Sequence, residues 1–303
     1  MMVPGTASMP CGHARMATSC ADALRDVADG MTVGIGGALN SGHPMALVRA
    51  LLQRKPRELT LVSGFGGMEI DMLVGAGVAC RLIAAFIGTE GASGLPPLTR
   101  WVCEQGRIDA WDIDEGLLLT ALRAAAQKVP YATWRCGLGT HAVVNPLAEL
   151  ASDEASGTPY LKVKPLPLDV CLYWAEAADQ DGNVLRWGPD FGDLGLADAS
   201  AVRIVQVERI VPTRRLQQAP DRVTPWQADV VVASPLGTYP FASTVLQDDL
   251  AWLQAYMFRM ADLHKRGDWS AVMPALTQLL RLNGDEHGFL ESVGVARLRE
   301  LMA

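Results

Sequence analysis

The chain is organised around the stretch Gly34-Ile35-Gly36-Gly37-Ala38-Leu39-Asn40-Ser41-Gly42-His43-Pro44-Met45. An apolar run from Met31 leads into it, which is typical of a buried strand. After Pro44 the apolar residues recur at helical spacing. These residues are Met45, Leu47, Val48, Leu51 and Leu52. The stretch therefore predicts a strand, a tight glycine-rich turn and a helix.

The glycine-rich turn is the first candidate for a binding site. Glycine permits positive φ angles and a close approach of the backbone to a ligand. Free amides at the start of a helix favour an anionic or polarised oxygen. The spacing is neither G-x-G-x-x-G nor a P-loop that ends in Gly-Lys-Ser/Thr. We expect substrate contacts from Gly36, Gly37, Asn40, Ser41 and Gly42, although a purely structural turn has the same composition.

His43 follows the turn directly. One interpretation is that its imidazole contacts an acidic group of a substrate. The other is that it is an ordinary polar side chain of a loop. The sequence leaves both interpretations open.

The composition is that of a folded protein with an acidic balance. Of 303 residues, 50% are hydrophobic and 19% are charged, and the net charge is -7. No basic stripe favours nucleic acid as a partner. No apolar run reaches the ~18 residues of a membrane span, and no signal peptide is evident. We therefore expect a cytoplasmic protein in which residues 1–16 form a flexible arm and residues 17–303 form the domain.

Six cysteines stand singly along the chain, with no Cys-x-x-Cys pair and no Cys/His cluster. This pattern is typical of reduced thiols in a cytoplasmic protein. We expect no metal site.

Strand-like and helix-like segments alternate through most of the chain, which predicts an α/β fold with a mostly parallel sheet flanked by helices. The pattern indicates a helix over residues 17–28, a strand over 160–168, a hairpin around residues 179–183 and C-terminal helices from about residue 247. Three predicted strands end in glycine clusters, after Ile35, Val62 and Ile87. Because ligands bind beyond the C-terminal strand ends of such sheets, the glycines fall where a site is expected.

Several short motifs follow one another in a recognisable order. They are Gly36-Gly37 with Pro44-Met45-Ala46-Leu47-Val48, Asp71-Met72-Leu73-Val74-Gly75-Ala76-Gly77, Asp114-Glu115-Gly116, Gly137-Leu138-Gly139-Thr140, Asp169-Val170 with Asp181-Gly182-Asn183-Val184 and Trp187-Gly188, Val207-Glu208-Arg209-Ile210-Val211, and Ala228-Asp229-Val230-Val231-Val232. Each motif is weak alone. Together they resemble the alpha-type subunits of family I coenzyme A transferases, of the glutaconate CoA-transferase type, over residues 17–253.

The resemblance implies the NagB/RpiA-like fold of family I CoA-transferases. It also implies that the partner is a homologous beta subunit, in an α2β2 or similar assembly. The substrate is then an acyl-CoA thioester, with coenzyme A as its carrier and no metal. In the family, the thioester is attacked by a glutamate of the beta subunit, which forms covalent intermediates. The glycine-rich turn of the alpha subunit lies across the shared site, where its amides can stabilise the oxyanion.

Beta subunits carry that glutamate after the second strand and before a glycine. Here Ser63-Gly64 stands in this place, after Leu61-Val62. The resemblance therefore implies that this chain lacks the nucleophile and that Ser63 and Gly64 line the substrate site.

Two segments depart from the family pattern. Gly237-Thr238-Tyr239-Pro240 replaces the usual Gly-Ala-His-Pro, and Ser243-Thr244-Val245-Leu246-Gln247-Asp248-Asp249 replaces an aromatic-acidic signature. Both departures indicate an unusual acyl group.

Two alternatives to CoA transfer stay open. Similar alpha subunits belong to hydrolases that open a ring of steroid-derived CoA thioesters, and Asp114-Glu115-Gly116 resembles the segment that carries their glutamate. Glu115 is then a general base or a polar anchor, and Glu90 is a second candidate. Glu115 is equally typical of the first turn of any helix, and Glu90 of a solvated loop. The other alternative is a non-catalytic subunit that stabilises its partner.

Overall fold

A parallel sheet forms the centre of the protein. The computed structural model describes residues 13–91, 95–186 and 192–302. The strands in these residues are β1 (Arg15–Ala17), β2 (Thr32–Ile35), β3 (Leu59–Gly66), β4 (Ala79–Ile87), β5 (Asp109–Trp111), β6 (Ala132–Trp134), β7 (Ala148–Ser152), β8 (Pro159–Val163), β9 (Leu168–Ala178), β10 (Asn183–Leu185), β11 (Ser200–Ile210), β12 (Val223–Gln227) and β13 (Val230–Ala233).

The helices surround this sheet. They are α1 (Cys20–Ala23), α2 (Met45–Arg54), α3 (Met68–Gly75), α4 (Pro97–Glu104), α5 (Glu115–Ala126), α6 (Asp193–Asp198), α7 (Thr213–Leu216), α8 (Leu250–Arg266), α9 (Val272–Leu279), α10 (Glu286–Val293) and α11 (Val295–Leu301). Short 3₁₀ turns span His141–Val144, Pro220–Arg222 and Trp269–Ala271. In these described parts of the chain, no helix is both long and apolar enough to cross a membrane.

The main sheet has the strand order β1-β13-β11-β9-β2-β3-β4-β5, and every neighbouring pair along this path is parallel. Strands β10 and β12 extend it in antiparallel fashion. A small antiparallel sheet of order β6-β8-β7 stands apart. The expectation of a mostly parallel sheet with C-terminal helices is confirmed.

Two hydrophobic clusters cover the two faces of the sheet. Successive strand residues point to opposite faces. On β9, Val170 and Leu172 join the cluster that contains apolar residues of α2, α3, α8 and α9. Cys171 and Tyr173 join the cluster that contains residues of α5 and α6. Strands β2 and β9 are neighbours in the middle of the sheet. The segment that follows β2 therefore begins at a point where helices cover both faces of the sheet.

The predicted hairpin around residues 179–183 is confirmed. Val184 pairs with Ala178 and Leu185 with Ala177 in antiparallel register. The carboxylate of Asp179 accepts hydrogen bonds from the amides of Asp181 (3.0 Å) and Asn183 (2.9 Å), which closes the turn. The Trp187-Gly188 end of the motif lies outside the described residues.

The N-terminal predictions are partly wrong. Residues 1–12 of the proposed arm lie outside the described residues, but Arg15–Ala17 forms β1 and pairs in parallel with β13. The ordered fold therefore begins before residue 17. The helix predicted over residues 17–28 is only Cys20–Ala23, capped by the Ser19 side chain, which accepts the amide of Asp22 (3.1 Å).

The single strand predicted over residues 160–168 is also wrong. The chain leaves the small sheet after Val163 and enters the main sheet at Leu168. Pro165 and Pro167 stand between the two strands. Proline has no N–H to donate to a ladder, so a continuous strand is interrupted there.

Candidate active site

The glycine-rich turn, residues 36–42, lies at the C-terminal end of β2, between the ends of β9 and β3. The amide of Gly36 donates to Leu172 O on β9 (3.0 Å), and the amide of Leu39 donates to Phe65 O on β3 (3.0 Å). The amide of Gly37 donates to Asp193 Oδ1 at the start of α6 (3.0 Å). These bonds tie the turn to both neighbouring strands and to a helix.

Most amides of the turn are already bound. Those of Ala38 and Ser41 bond the carbonyls of Ser41 and Ala38, and that of Gly42 donates to Ala242 O. From Gly37 to Gly42, only the amide of Asn40 has no acceptor within the described chain. Any oxyanion contact from these amides in this conformation therefore falls to Asn40.

The start of α2 is closed as well. The amide of Ala46 donates to Gly237 O (2.9 Å), and that of Leu47 donates to the side-chain oxygen of Gln206 (3.2 Å). Ala46 and Leu47 are buried. The expectation of exposed amides at the helix start is thus wrong, because distant segments of the chain cap this helix.

His43 is fully buried beneath the turn. Its Nε2 lies 3.1 Å from Leu39 O and donates to it, while its Nδ1 lies 3.2 Å from Glu69 Oε1 without hydrogen-bond alignment. Burial by itself lowers the pKa of His43, but the negative charge of Glu69 and the hydrogen bonds outweigh burial, and the pKa is raised. A contact between His43 and a substrate is not available in this arrangement, because the ring has no exposed surface.

Ser63 and Gly64 do not line an open site either. Strand β3 continues past them to Gly66, and both residues are buried. Ser63 has no exposed surface. The sequence placed the end of the strand at Val62, which is wrong. The position at which the resemblance places a nucleophilic glutamate in beta-type chains is therefore closed here and carries no carboxylate.

Glu90 lies beside the glycine-rich turn, in the loop after β4, and is exposed. Its amide donates to Asn40 Oδ1 (3.0 Å), and its carbonyl accepts from Asn40 Nδ2 (2.9 Å). The same Nδ2 donates to Asp248 Oδ2 (2.7 Å). The structure thus brings together the predicted residues Asn40 and Glu90.

Glu115 is the first residue of α5 and is exposed. Asp114 caps this helix by accepting the amide of Leu117 (2.9 Å), so the Glu115 carboxylate is not used as a cap. Gly116 packs against Trp134, and a Cβ added at Gly116 would lie 2.1 Å from the indole. Because Glu115 follows β5 and Glu90 follows the adjacent β4, both carboxylates belong to the same edge of the sheet.

The sequence alone did not single out the acidic pair Glu176 and Glu208 as site residues. Both lie at the C-terminal ends of β9 and β11, next to the turn. The carboxylate of Glu208 accepts from Trp174 Nε1 (3.1 Å) and from the amide of Leu236 (2.7 Å). Glu176 accepts from Arg209 and Thr244. The available signal in the sequence was Glu208, a carboxylate that directly follows the largely apolar strand residues Ile204–Val207.

Burial raises the pKa of Glu208, and the charge of Glu176 adds to this, against the hydrogen bonds from Leu236 and Trp174. The Trp174 ring also forms one wall of the turn, because a Cβ at Gly42 would lie 3.8 Å from it. A buried carboxyl group therefore stands behind the wall of the candidate site.

A cavity of about 510 Å³ opens on another side, between α1, α2 and α10. Arg49, Glu286 and Cys20 are among the residues that line it. None of its described lining residues belongs to the predicted site. In the described ranges, no group of three His, Cys, Asp or Glu side chains is arranged to hold a metal ion.

Comparisons with known proteins agree with this architecture. The family model described as Coenzyme A transferase matches residues 17–230. The chain is 32% identical over 235 residues to the cholesterol ring-cleaving hydrolase IpdA subunit of Mycobacterium tuberculosis, covering 73% of this chain and 80% of that one.

A second relative is the A-type subunit of glutaconate CoA-transferase from Acidaminococcus fermentans, which is 26% identical over 250 residues. That match covers 76% of this chain and 78% of the relative. The crystal structure of glutaconate coenzyme A-transferase from the same organism superposes with a TM-score of 0.87 at 21% identity, covering 96% of both chains. At that identity the superposition establishes the shared fold.

Proposed function

Because the chain belongs to the coenzyme A transferase family, we propose that it is the alpha-type subunit of a heteromeric enzyme that acts on a coenzyme A thioester. One observation carries this proposal. The strand position at which beta-type subunits bear the nucleophilic glutamate is here Ser63, which is buried and has no carboxylate. The nucleophile for covalent transfer must then come from a partner.

The first candidate reaction is transfer of coenzyme A between two carboxylic acids. The partner's glutamate attacks the thioester carbonyl and releases the CoA thiolate, which leaves an acyl-glutamyl anhydride. The thiolate then attacks the glutamyl carbonyl, and the first carboxylate leaves. An acceptor carboxylate reverses these two steps and carries the CoA away.

In this reaction the alpha-type chain shapes the site. The amide of Asn40 is the group of the turn that remains to donate to the oxyanion formed at each attack. The bonds from Gly36, Gly37 and Leu39 hold that amide in place before the reaction starts. The relatives include a chain named as one subunit of glutaconate CoA-transferase, which supports a homologous partner in an α2β2 or similar assembly.

The experiment for transfer uses the assembled complex. The chain is co-expressed with a beta-type chain of the same family, the complex is incubated with a panel of acyl-CoA compounds, and borohydride is then added. Mass spectrometry of both subunits should find a reduced glutamyl residue on the partner alone. An unmodified partner in a complex that turns over would contradict covalent transfer.

Hydrolysis is the second candidate, and the exposed Glu115 favours it. Its carboxylate is free of the helix cap, since Asp114 performs that role. It is therefore available to take a proton from water that attacks the substrate. The 32% identity to subunits named as cholesterol ring-cleaving hydrolases adds support.

Isotope labelling separates the two reactions. In H₂¹⁸O, hydrolysis puts one ¹⁸O atom into the product in the first turnover. The substitution Glu115→Gln or Glu90→Gln should abolish this incorporation. Transfer gives an acceptor thioester and requires the acceptor acid. If both variants and Gly37→Ala turn over like the wild type, the chain only stabilises its partner.

A further inference from the structure

Asn40 lies where three segments of the chain meet. Its side chain bonds the loop after β4 through Glu90 and the segment before α8 through Asp248. Its own carbonyl accepts from the amide of Ala242 (2.7 Å). The residue thus links the glycine-rich turn to two segments that are distant in sequence.

The contact with Glu90 is reciprocal. Asn40 Oδ1 accepts the amide of Glu90 and Asn40 Nδ2 donates to its carbonyl, so both polar backbone groups of Glu90 are held by one side chain. The carboxylate of Glu90 has no hydrogen bond to the described residues, and the side chain is exposed. The backbone of Glu90 is therefore fixed against the turn while its side chain is left for a ligand.

We propose that Asn40 is a positioning residue that sets the place of the Glu90 carboxylate relative to the glycine-rich turn. The inference rests on the proposed function in one respect, that Glu90 takes part in binding or converting the thioester. The chemistry of the amide suits this task. It supplies one acceptor and two hydrogens, and Glu90 and Asp248 use both hydrogens.

A second tie to the same loop provides a control. Gln254 Nε2 on α8 donates to Gly91 O (3.1 Å). It holds the loop without bonding either backbone group of Glu90. Asn283 is an exposed asparagine remote from the turn, and Asn283→Ala is the matched control for the loss of an asparagine side chain.

The first test measures hydrogen exchange in the assembled complex without substrate. In Asn40→Ala, the amide of Glu90 loses its acceptor, and its exchange should accelerate about tenfold or more. Asn40→Asp places a carboxylate oxygen against Glu90 O and Asp248 Oδ2, which repel it, so the exchange of the Glu90 amide should accelerate in this variant as well. Gln254→Ala and Asn283→Ala should leave this amide unchanged. Equal exchange in Asn40→Ala and wild type would overturn the proposal.

The second test is a double-mutant cycle on turnover. Asn40→Ala and Asn40→Asp should each lower kcat by about 10- to 100-fold, since a small misplacement of a reacting group has effects of this size. In a Glu90→Gln background, the same substitutions should have little further effect, because the group that they position is already gone. Additive losses would mean that Asn40 does not act through Glu90. Asn40→Asp keeps the shape of the side chain, and it replaces Asn40→Ala in this cycle if the alanine variant does not assemble into the complex.

The two tests fail in different ways. A wild-type complex that neither transfers nor hydrolyses any acyl-CoA contradicts the proposed function. The exchange rates of the Glu90 amide, measured without substrate, still decide whether Asn40 holds this residue.

Discussion

Nδ1 of His43 and Oε1 of Glu69 lie 3.2 Å apart, and neither side chain has any exposed surface. His43 also bonds Leu39 O, and Glu69 Oε1 accepts the amide of Gly67 (2.9 Å). The pair therefore joins the turn after β2 to the start of α3. Leu39 needs such support, since its φ of 53° is unusual for a residue with a side chain.

Replacing Glu69 should destabilise the fold in a pH-dependent way. The pKa of His43 is raised above its ordinary value of 6.5, so the ion pair contributes fully below that value and is lost as the pH rises through the raised pKa. In Glu69→Gln, the free energy of unfolding at pH 6 should fall by about 3 kcal/mol, the lower end for breaking a buried pair, because the imidazole can lose its proton. Urea denaturation between pH 6 and 9 measures this.

Asp193 is the other carboxylate that acts on His43, and Phe241 covers the ring at 4.4 Å. The free energy of unfolding of Glu69→Gln should depend less on pH than that of the wild type over the same range. A constant difference between the two proteins from pH 6 to 9 would contradict an ionised His43.

Two glycines of the turn should respond differently to alanine. Gly37 has a φ of 106°, and a Cβ there would lie 2.4 Å from His43 Nδ1. Gly42 has a φ of 72°, and the nearest atom to its Cβ would be 3.8 Å away. Gly42→Ala should lose about 1–2 kcal/mol from left-handed backbone alone, whereas Gly37→Ala should lose clearly more. Thermal unfolding of the two variants measures which one loses more stability. Equal losses would mean that the His43 ring can move aside for the new methyl group.

The sequence was sufficient to predict the helices and turns that have a local residue pattern of their own. The spacing after Pro44 predicted α2, and the Asp179–Asn183 turn predicted the β9–β10 hairpin. Strands β6 and β7 were missed because they are short and are formed only by pairing with β8. Strand β1 was missed because its partner, β13, lies about 200 residues away in sequence.

The sequence predicted the edge of the sheet at which the candidate residues lie, but not the contacts that these residues make. The turn, Glu90 and Glu115 all lie at the predicted edge of the sheet. The acceptors that occupy the turn amides, such as Leu172 O, Asp193 and Ala242 O, come from remote segments that no local pattern indicates. The pairing of His43 with Glu69 is equally a product of the fold, since the sequence marks His43 only as a neighbour of the turn and does not mark Glu69 at all.

The buried carboxyl of Asp71 makes the stability of the fold decrease as the pH rises from mild acid toward neutrality. Burial raises its pKa from 3.8 to about 6, against the hydrogen bonds from the amide of Thr99 (2.6 Å) and from Tyr256 Oη (2.7 Å). Since the native state holds this proton more tightly than the unfolded chain, ionisation destabilises the fold. As the pH rises from about 4 to about 6, ionisation of Asp71 therefore lowers the free energy of unfolding, with no further change at higher pH.

Asp71→Asn should remove this dependence. At about 1.4 kcal/mol per pKa unit, the variant should be more stable than the wild type at pH 8 by at most about 3 kcal/mol, and the difference should shrink toward pH 4. Tyr256→Phe removes a hydrogen-bond donor to the carboxylate, so its free energy of unfolding should fall more than that of the wild type as the pH rises. Urea unfolding at pH 4, 6 and 8 compares all three proteins. A constant deficit of Asp71→Asn at every pH would show that the carboxylate is favourable when ionised.

Glu115→Gln separates chemistry from stability, because the residue is exposed and the helix has another cap. The free energy of unfolding should change by less than about 0.5 kcal/mol, as for most surface positions. If Glu115 is the base of a hydrolase, hydrolytic turnover of the complex should fall by about 10²- to 10⁴-fold. Asp114→Ala should do the opposite, losing about 1 kcal/mol of stability through the lost cap. Steady-state kinetics and denaturation on the same preparations give both quantities, and unchanged hydrolysis in Glu115→Gln would leave Glu90 as this chain's remaining candidate base.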